Sequence, residues 1–299
     1  MNLIKEIERL KIEKKAIILA HYYQSKEIQK LADYVGDSYY LSQVGMKSNA
    51  EVIVFCGVEF MAESAKVLSP NKKVYLANKF SFCSMAKMAE PAEVIKLKNQ
   101  YPNSKVVCYV NSTTEVKAIS DVCCTSSNAE NIVKNLDSEN IIFVPDKNLG
   151  SYIQEKTPEK NIVLWDGYCC IHNKIKPEDV LEAKNKHGEN IEVLMHPECE
   201  KSTRDLADFV GSTGQIINYV DKSYKKEFII VTDVGIEYEL VKRNPNKRFY
   251  FLDMVCDNMK LTTEEDVYNC LIDKREEILI DEDMRNRAEK SLKEMHKLA

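Results

Sequence analysis

The sequence has little of what separates domains or crosses membranes. Its 299 residues include only nine glycines and eight prolines, so no flexible or proline-rich linker divides the chain, and we expect one compact body. No apolar run approaches the ~18 residues that a membrane-spanning helix requires. Residues 1–15 place apolar side chains at helical spacing among charges and lack the apolar stretch of a signal peptide. These absences predict a cytoplasmic protein that does not bind a membrane.

Positive charge is not in excess either. The chain has 42 lysines and arginines against 47 aspartates and glutamates, which gives a formal net charge of -5. Proteins that bind nucleic acids usually carry a basic surface, so we predict no nucleic-acid partner. A small anionic substrate is compatible with this balance, because a local site can be positive on an acidic protein.

The ten cysteines do not form the CxxC pairs that are typical of structural zinc sites, and in the cytoplasm they are expected as thiols or metal ligands rather than disulfides. Three of them, Cys83, Cys169 and Cys256, lie 86 and 87 residues apart. Other similar residues recur at nearly the same interval, and a period of this length predicts three copies of one unit. The recurring sets are Asp33, Asp121 and Asp208; Ser38, Ser126 and Thr213; His21, Tyr109 and His196; and Tyr23, Asn111 and Glu198.

Each copy shows the same order of elements. An apolar run ends in polar residues, then come a helical stretch and a turn that begins with aspartate, and two further apolar runs follow, the second carrying the cysteine. Short Val- and Ile-rich runs separated by helical patterns are typical of buried parallel strands in βαβ units. We therefore predict an α/β fold with repeats at residues 1–84, 85–171 and 172–260. A helical segment over residues 261–299 is expected to pack back on this body.

The three repeated cysteines suggest a metal site. Thiolates drawn from three distant segments suit zinc or an iron–sulfur cluster. A cubane with three cysteine ligands leaves one iron open, and an open iron is a Lewis acid for a substrate oxygen or nitrogen. Spacing alone leaves open the alternative that these cysteines are small buried hydrophobes. The cysteines that we interpret as packing residues are Cys56, Cys108, Cys123, Cys124, Cys199 and Cys270.

Polar residues at the strand ends suggest a shared cavity, because ligands of open α/β sheets bind beyond the carboxyl ends of the strands. A histidine there can donate to a carboxylate or phosphate near neutral pH, and a glutamate beside a metal can carry protons. The repeated hydroxyls are expected at helix N-termini, where they either cap the helix or bind a shared anion. His172, three residues after Cys169, is interpreted as a contact to the substrate or to a metal ligand.

Ten segments of the chain together resemble the quinolinate synthase family of de novo NAD biosynthesis. A single motif would be weak evidence, but ten in order at compatible spacing, from about residue 18 to residue 260, are specific. The segments are AHYYQ (20–24), ADYVGDS (32–38), FCGVEFMAESAKVLSP (55–70), YVNST (109–113), DVCCTSSNA (121–129), FVPDKNLGSY (143–152), WDGYCCIH (165–172), HPEC (196–199), ADFVGSTGQI (207–216) and CDNMK (256–260).

The resemblance implies three pseudo-symmetric three-layer αβα domains with short parallel sheets around a central active site. It implies a transferase that condenses iminoaspartate (iminosuccinate) with dihydroxyacetone phosphate to give quinolinate, phosphate and water. The implied cofactor is a 4Fe-4S cluster with one open iron and three cysteine ligands, Cys83, Cys169 and Cys256. Cys169 rather than Cys170 occupies the family's ligand position, four residues after Trp165 and three before His172.

The resemblance also implies roles for individual side chains. Tyr23, His196 and Glu198 match catalytic residues, of which Tyr23 and Glu198 are implicated in proton transfer. The L-aspartate oxidase that supplies the unstable iminoaspartate is a candidate transient partner. The implied substrate contacts are His21, Ser38, Tyr109, Asn111, Ser126, His172, His196, Glu198, Ser212 and Thr213.

Two other functions are compatible with three cysteines on a triplicated fold. One is a diphthamide-type radical enzyme that cleaves S-adenosylmethionine, which needs room for that ligand and fewer His and Ser side chains in the cavity. The other is a non-catalytic iron–sulfur sensor, which has no need for His, Glu and Tyr at the strand ends. A sensor would usually carry a partner- or DNA-binding segment, and the sequence shows none.

Overall fold

The computed structural model describes residues 2–299, and this part of the chain contains three parallel four-stranded sheets. Each sheet is drawn from one continuous stretch, residues 16–76, 105–164 and 192–251. The strands are β1 Ala16–His21, β2 Tyr34–Gly36, β3 Val52–Cys56, β4 Lys73–Leu76, β5 Lys105–Tyr109, β6 Val122–Cys124, β7 Asn140–Val144, β8 Asn161–Leu164, β9 Glu192–Met195, β10 Phe209–Val210, β11 Glu227–Val231 and β12 Arg248–Phe251.

Helices connect the strands and cover the sheets. Two short 3-10 turns, Met85–Lys87 and Val234–Ile236, complete the helical structure of the described residues. The α-helices are α1 Leu3–Glu13, α2 Lys26–Leu31, α3 Ser38–Lys47, α4 Glu59–Leu68, α5 Pro91–Gln100, α6 Thr114–Ile119, α7 Ala129–Asn135, α8 Lys147–Lys156, α9 Cys170–Asn173, α10 Pro177–His187, α11 Lys201–Arg204, α12 Thr213–Lys222, α13 Glu237–Arg243, α14 Asp257–Lys260, α15 Glu264–Leu271 and α16 Glu282–Leu298.

All three sheets have the same topology. The strand orders are β2-β1-β3-β4, β6-β5-β7-β8 and β10-β9-β11-β12, and every pairing is parallel. The first strand of each repeat therefore lies between the second and the third. The second strand is added on one side of the first strand and the third strand on the other, so the strand order reverses at the first strand. Ligands of such sheets bind at the carboxyl ends of the strands on either side of the reversal. The predicted α/β class with three pseudo-symmetric αβα units is confirmed.

The second strand of each repeat was not predicted. β2, β6 and β10 are two or three residues long, and the sequence pattern there indicated no more than a turn. The recurring aspartate at the start of the turn holds the strand in place. Oδ2 of Asp33, Asp121 and Asp208 accepts the N–H of Ile18, Val106 and Val193, respectively, at 2.8 Å in each repeat. The spacing of these aspartates thus reflects a structural bond between neighbouring strands.

The hydrophobic core is continuous across the first two repeats. One cluster of buried residues runs from Leu19 and Phe55 through Val107 and Phe143 to Leu292 of α16. Helix α16 contacts α4, α6, β6 and α7, so the C-terminal segment packs against both of these repeats. The third repeat buries its sheet in two separate clusters. Among residues 2–299, no helix combines the length and the apolar character that crossing a membrane would require.

Candidate functional site

A single cavity lies where the carboxyl ends of the three sheets meet. Its walls come from the segments that follow strands of all three repeats, as the shared topology requires. Thirteen of the fourteen predicted site residues line it: His21, Tyr23, Ser38, Cys83, Tyr109, Asn111, Ser126, Cys169, His172, His196, Glu198, Thr213 and Cys256.

The remaining predicted residue, Ser212, is the N-cap of α12. Its hydroxyl accepts the N–H of Gln215 at 3.2 Å, and its own N–H donates to Oε1 of Gln215 at 2.8 Å. This reciprocal pair is a capping box, which satisfies two free donors of the helix end. Thr213, the first residue of α12, reaches the cavity instead.

Two equivalent histidines are held as neutral hydrogen-bond donors. Nδ1 of His21 accepts the N–H of Tyr23 at 3.1 Å, and Nδ1 of His196 accepts the N–H of Glu198 at 3.4 Å. The proton of each neutral ring is therefore on Nε2. Burial lowers the pKa of both imidazoles to about 3, so neither carries charge near neutral pH. This pair can donate to ligand oxygens without releasing or taking up a proton.

Glu198 is the buried carboxylate of the cavity, with 3% of its surface exposed. Its Oε2 lies 2.8 Å from Nδ1 of His172 and 3.6 Å from Nδ1 of His196. Burial alone would raise the pKa of this carboxyl, but the hydrogen bond to His172 favours the carboxylate and the pKa lies below its usual range. Oε1 has no partner of hydrogen-bond geometry among the described residues, although the Tyr109 hydroxyl is near enough to help lower the pKa of the carboxyl. A buried anionic oxygen in this state is available to a ligand or to a proton.

A hydrogen-bonded chain connects Tyr23 with Glu198. The Tyr23 hydroxyl lies 2.8 Å from Oγ1 of Thr213 and 2.7 Å from Oγ1 of Thr232. Oγ1 of Thr232 in turn lies 3.0 Å from Nε2 of His172, whose other nitrogen meets Glu198. Burial, together with the charge of Glu198, raises the pKa of Tyr23 well above its ordinary value, so the phenol keeps its proton. Protons can pass along such a chain of hydroxyl and imidazole groups.

The three repeated cysteines occupy equivalent places at the start of short helical turns. Cys169 and Cys256 are the N-caps of α9 and α14, and the carbonyl of Cys83 accepts the N–H of Ala86 at 3.1 Å in a matching turn. Burial raises the pKa of all three thiols, to about 12 for Cys83 and about 11 for Cys256. The N–H three residues further along favours each thiolate, though less strongly than burial opposes it. These thiols therefore stay protonated near neutral pH unless cations lie beside the sulfurs.

This donor set fits a polynuclear metal cluster better than a single ion. Among residues 2–299, the one group of ligand atoms within 4.8 Å of one another comprises Cys169, His172 and Glu198. Hydrogen bonds account for that group, since Nδ1 of His172 lies 2.8 Å from the carboxylate and 3.3 Å from Sγ of Cys169. The three repeated cysteines line the same cavity but do not form such a compact group, as is expected of ligands to separate irons. Soft thiolates with N–H groups directed at them are the donors that such clusters use.

The cavity also contains residues that the sequence did not single out. Asp37, Thr125 and Asp233 add polar groups, whereas Phe82 and Met259 belong to an apolar part of the wall. Thr232 and Asp146 are fully buried directly behind the lining. Asp146 and Asp233 lie 87 residues apart, so the period itself could have revealed them. Thr232 has no such signal, because glycine and proline hold the equivalent positions 57 and 145.

Fold and site together define a class: an α/β enzyme of three like domains with one central active site, in which thiols from all three domains face a buried acid–base network. Comparison with known proteins gives the family. The family model described as "Quinolinate synthetase A protein" matches residues 5–297.

Curated relatives cover the whole chain. Proteins named quinolinate synthase are 55% identical to it over 298 residues in Clostridium novyi (strain NT), 56% over 300 in Clostridium perfringens (strain 13 / Type A) and 53% over 300 in Clostridioides difficile (strain 630). These alignments span 100% of this chain and 98–99% of each relative. The chain belongs to the quinolinate synthase family, and the resemblance found in its motifs is confirmed.

Proposed function

We propose that this protein condenses iminoaspartate with dihydroxyacetone phosphate to give quinolinate, phosphate and water, as a cytoplasmic transferase of NAD biosynthesis. The observation that carries the proposal is the convergence of three thiols, neutral imidazoles and one buried carboxylate on a single cavity. Both substrates are small anions, and the cavity offers many neutral donors to carboxylate and phosphate oxygens. The L-aspartate oxidase that makes iminoaspartate is proposed as a transient partner.

Neutral donors bind and orient the two anions. Nε2–H of His21 and of His196 can donate to substrate oxygens, because Nδ1 of each ring is already occupied by a backbone N–H. Thr213 begins α12, where the helix dipole and the N–H groups not used by the Ser212 cap favour a phosphate or carboxylate. At the start of α3 the N-cap Asp37 accepts the N–H of Tyr40 at 2.9 Å, so the hydroxyl of Ser38 is the donor there. Fixing both reactants in one cavity removes much of the entropic barrier to joining them.

Glu198 and Tyr23 transfer protons in this mechanism. The unpartnered Oε1 of Glu198 accepts a proton from a carbon or nitrogen of the bound substrate. Tyr23, which keeps its phenolic proton, donates to an oxygen that leaves as water or phosphate. Thr232 and His172 then return a proton from the Glu198 side to Tyr23 along the hydrogen-bonded chain. Phe82 and Met259 add apolar surface to the wall of the cavity.

Cys83, Cys169 and Cys256 are proposed as the three ligands of a 4Fe-4S cluster. A cluster held there would supply a Lewis-acidic iron for a hydroxyl or carboxylate of the substrate during dehydration. Cys170, adjacent to Cys169, is exposed and contacts Oγ of Ser84 at 3.6 Å, which sets it apart from the half-buried ligands.

Anaerobic purification with iron and sulfide analysis tests the proposal directly. We expect about four irons and four sulfides per chain, and quinolinate formation that needs both iminoaspartate and dihydroxyacetone phosphate. S-adenosylmethionine with a reductant serves as a control and is expected to remain uncleaved. A protein that holds the cluster yet forms no quinolinate from these substrates would contradict the proposed reaction.

A further inference from the structure

Two buried aspartates hold the backbones of two of the three proposed cluster ligands. Oδ2 of Asp146 accepts the N–H of Cys169 at 3.1 Å, and Oδ2 of Asp233 accepts the N–H of Cys256 at 2.7 Å. Both aspartates are completely buried, and each precedes its cysteine by 23 residues. The bonds therefore occupy equivalent places in the second and third repeats.

The first repeat lacks this bond. The position equivalent to the two aspartates is the second residue after the third strand of the repeat, and there the chain has Val58. Val58 is the N-cap of α4, as Asp146 is of α8, but it has no oxygen to accept a hydrogen bond and makes no side-chain cap. The backbone of Cys83 consequently has no carboxylate equivalent to the one that holds each of the other two cysteines.

The segment that carries Cys83 is also less firmly packed. Phe80 and Phe82 are 67% and 40% exposed. Between them, the hydroxyl of Ser81 is completely buried and has no hydrogen-bond partner. A buried polar group without a partner weakens the folded arrangement of its segment. Exposed aromatic side chains likewise contribute little packing, so both features weaken the hold on the segment that carries Cys83.

The two carboxylates act through geometry rather than through their charge. A negative charge close to a thiolate opposes its ionisation, so charge alone would not strengthen these ligands. The bonds to the backbone N–H instead fix the main chain of each cysteine, and hence the direction of its Cα–Cβ bond. A ligand fixed in advance loses less entropy when it binds metal and is released more slowly.

We propose that Asp146 and Asp233 are positioning residues that pre-organise Cys169 and Cys256, and that Cys83 is the labile ligand from which the cluster first detaches. This inference rests on the proposed cluster. It adds an order to the release of the three ligands, because the three like domains differ at one equivalent position.

Simple helix capping is the alternative explanation of the two aspartates. In each, Oδ1 accepts a different N–H at 2.7 Å, that of Leu149 for Asp146 and that of Gly235 for Asp233, while Oδ2 accepts the cysteine N–H. Oδ1 of Asp233 also accepts a hydrogen bond from Nζ of Lys260 at 2.9 Å. A capping role alone predicts a general loss of stability on substitution. A positioning role predicts a change at one named cysteine.

The test follows the order in which the cysteines become reactive. Holoprotein is mixed anaerobically with the chelator o-phenanthroline and iodoacetamide, and alkylation at each cysteine is followed by mass spectrometry, with the cluster-free protein as the reference for accessibility. In wild-type protein we expect Cys83 to be alkylated before Cys169 and Cys256. In Asp146→Asn one accepting oxygen becomes an NH₂ group, which cannot accept an N–H, so the two N–H groups compete for the one that remains. Alkylation of Cys169 should accelerate up to about tenfold without an effect on Cys256, and Asp233→Asn should do the reverse, since a lost buried hydrogen bond costs about 1.4 kcal/mol.

Asp281→Asn is the matched control, because Asp281 caps α16 through the N–H of Met284 at 3.0 Å and contacts no proposed ligand. It should leave the order and the rates unchanged. Simultaneous alkylation of all three wild-type cysteines, after correction by the cluster-free reference, would overturn the proposal. Equal acceleration of alkylation at all three cysteines in the Asp146→Asn protein would also overturn it. If that variant fails to fold, the wild-type order and Asp233→Asn still decide the matter. Wild-type protein without iron and sulfide would refute the cluster itself, a result distinct from a wrong order.

Discussion

Replacing Glu198 with glutamine removes one charge from the centre of the cavity and almost no volume. The wild-type carboxylate has one oxygen 2.8 Å from Nδ1 of His172 and one oxygen without a partner. In Glu198→Gln the amide oxygen can keep the contact to His172, and the NH₂ group then takes the place of the free oxygen. The group that we propose as proton acceptor becomes a donor that cannot accept a proton.

The expected loss of activity follows from that change. A positioned acid or base contributes about 10²- to 10⁴-fold to a rate, so kcat should fall by this factor, equivalent to about 3–5 kcal/mol of transition-state stabilisation. Stability should change far less. The weakened bond to His172 costs about 1–2 kcal/mol, whereas removing a buried charge with one unsatisfied oxygen is favourable.

The assay is anaerobic quinolinate formation at saturating substrates, with iron content and thermal unfolding measured on the same preparation. Glu200→Gln is the matched control, since Glu200 lies two residues away, outside the cavity, paired with Lys176 at 2.7 Å. It should retain wild-type turnover. A Glu198→Gln protein that holds its cluster and works within about threefold of wild type would remove Glu198 from proton transfer, because a general base contributes at least about 10²-fold.

Three further changes have expected outcomes. Cys169→Ser should lose its iron, whereas Cys170→Ser should retain it, and iron analysis with visible absorption measures both. The reverse result would show that Cys170 is the ligand. Thr232→Val breaks the bonds of its hydroxyl to Tyr23 and His172, and should lower kcat at least tenfold with little effect on KM; unchanged steady-state kinetics would exclude the proton path. His21, with a folded-state pKa of about 3 against 6.5 unfolded, contributes stability that is complete above pH 6.5 and is lost as the pH falls toward 3. Between pH 7 and pH 5, the free energy of unfolding measured with denaturant should therefore fall about 2 kcal/mol less for His21→Gln than for wild type. Equal decreases would show that this imidazole is not buried neutral.

Much of the fold could be predicted because repetition is a property of the chain itself. Cysteine, aspartate and hydroxyl residues at intervals of 86 to 88 indicated three like units before any contact was known, and buried parallel strands leave continuous apolar runs such as VIVFC. The short second strands were missed. A strand of two or three residues is too brief for an alternating pattern, and its place is fixed by a bond from Asp33, Asp121 or Asp208 to the neighbouring strand.

The sequence predicted those site residues that recur in the repeats or lie in recognised motifs, and it missed residues that have neither signal. Tyr23, His172 and Glu198 stand out from the motifs, but Thr232, which joins the first two, lies far from both in sequence and has no counterpart in the other repeats. Ser212 shows the opposite case. It lies in a motif beside Thr213, and yet its hydroxyl is used by the helix that it caps.

The sequence by itself determined that three similar units exist, that each has polar residues after one strand and a cysteine after another, and that the chain resembles one enzyme family. These are local or periodic properties, and they can be recognised from the order of the residues alone. Tertiary structure alone decided which groups share hydrogen bonds, that His21 and His196 are neutral, and that two cysteines are held by carboxylates while the third is not. Those properties depend on burial and on distances of a few ångströms between segments that come together when the three repeats pack around one cavity.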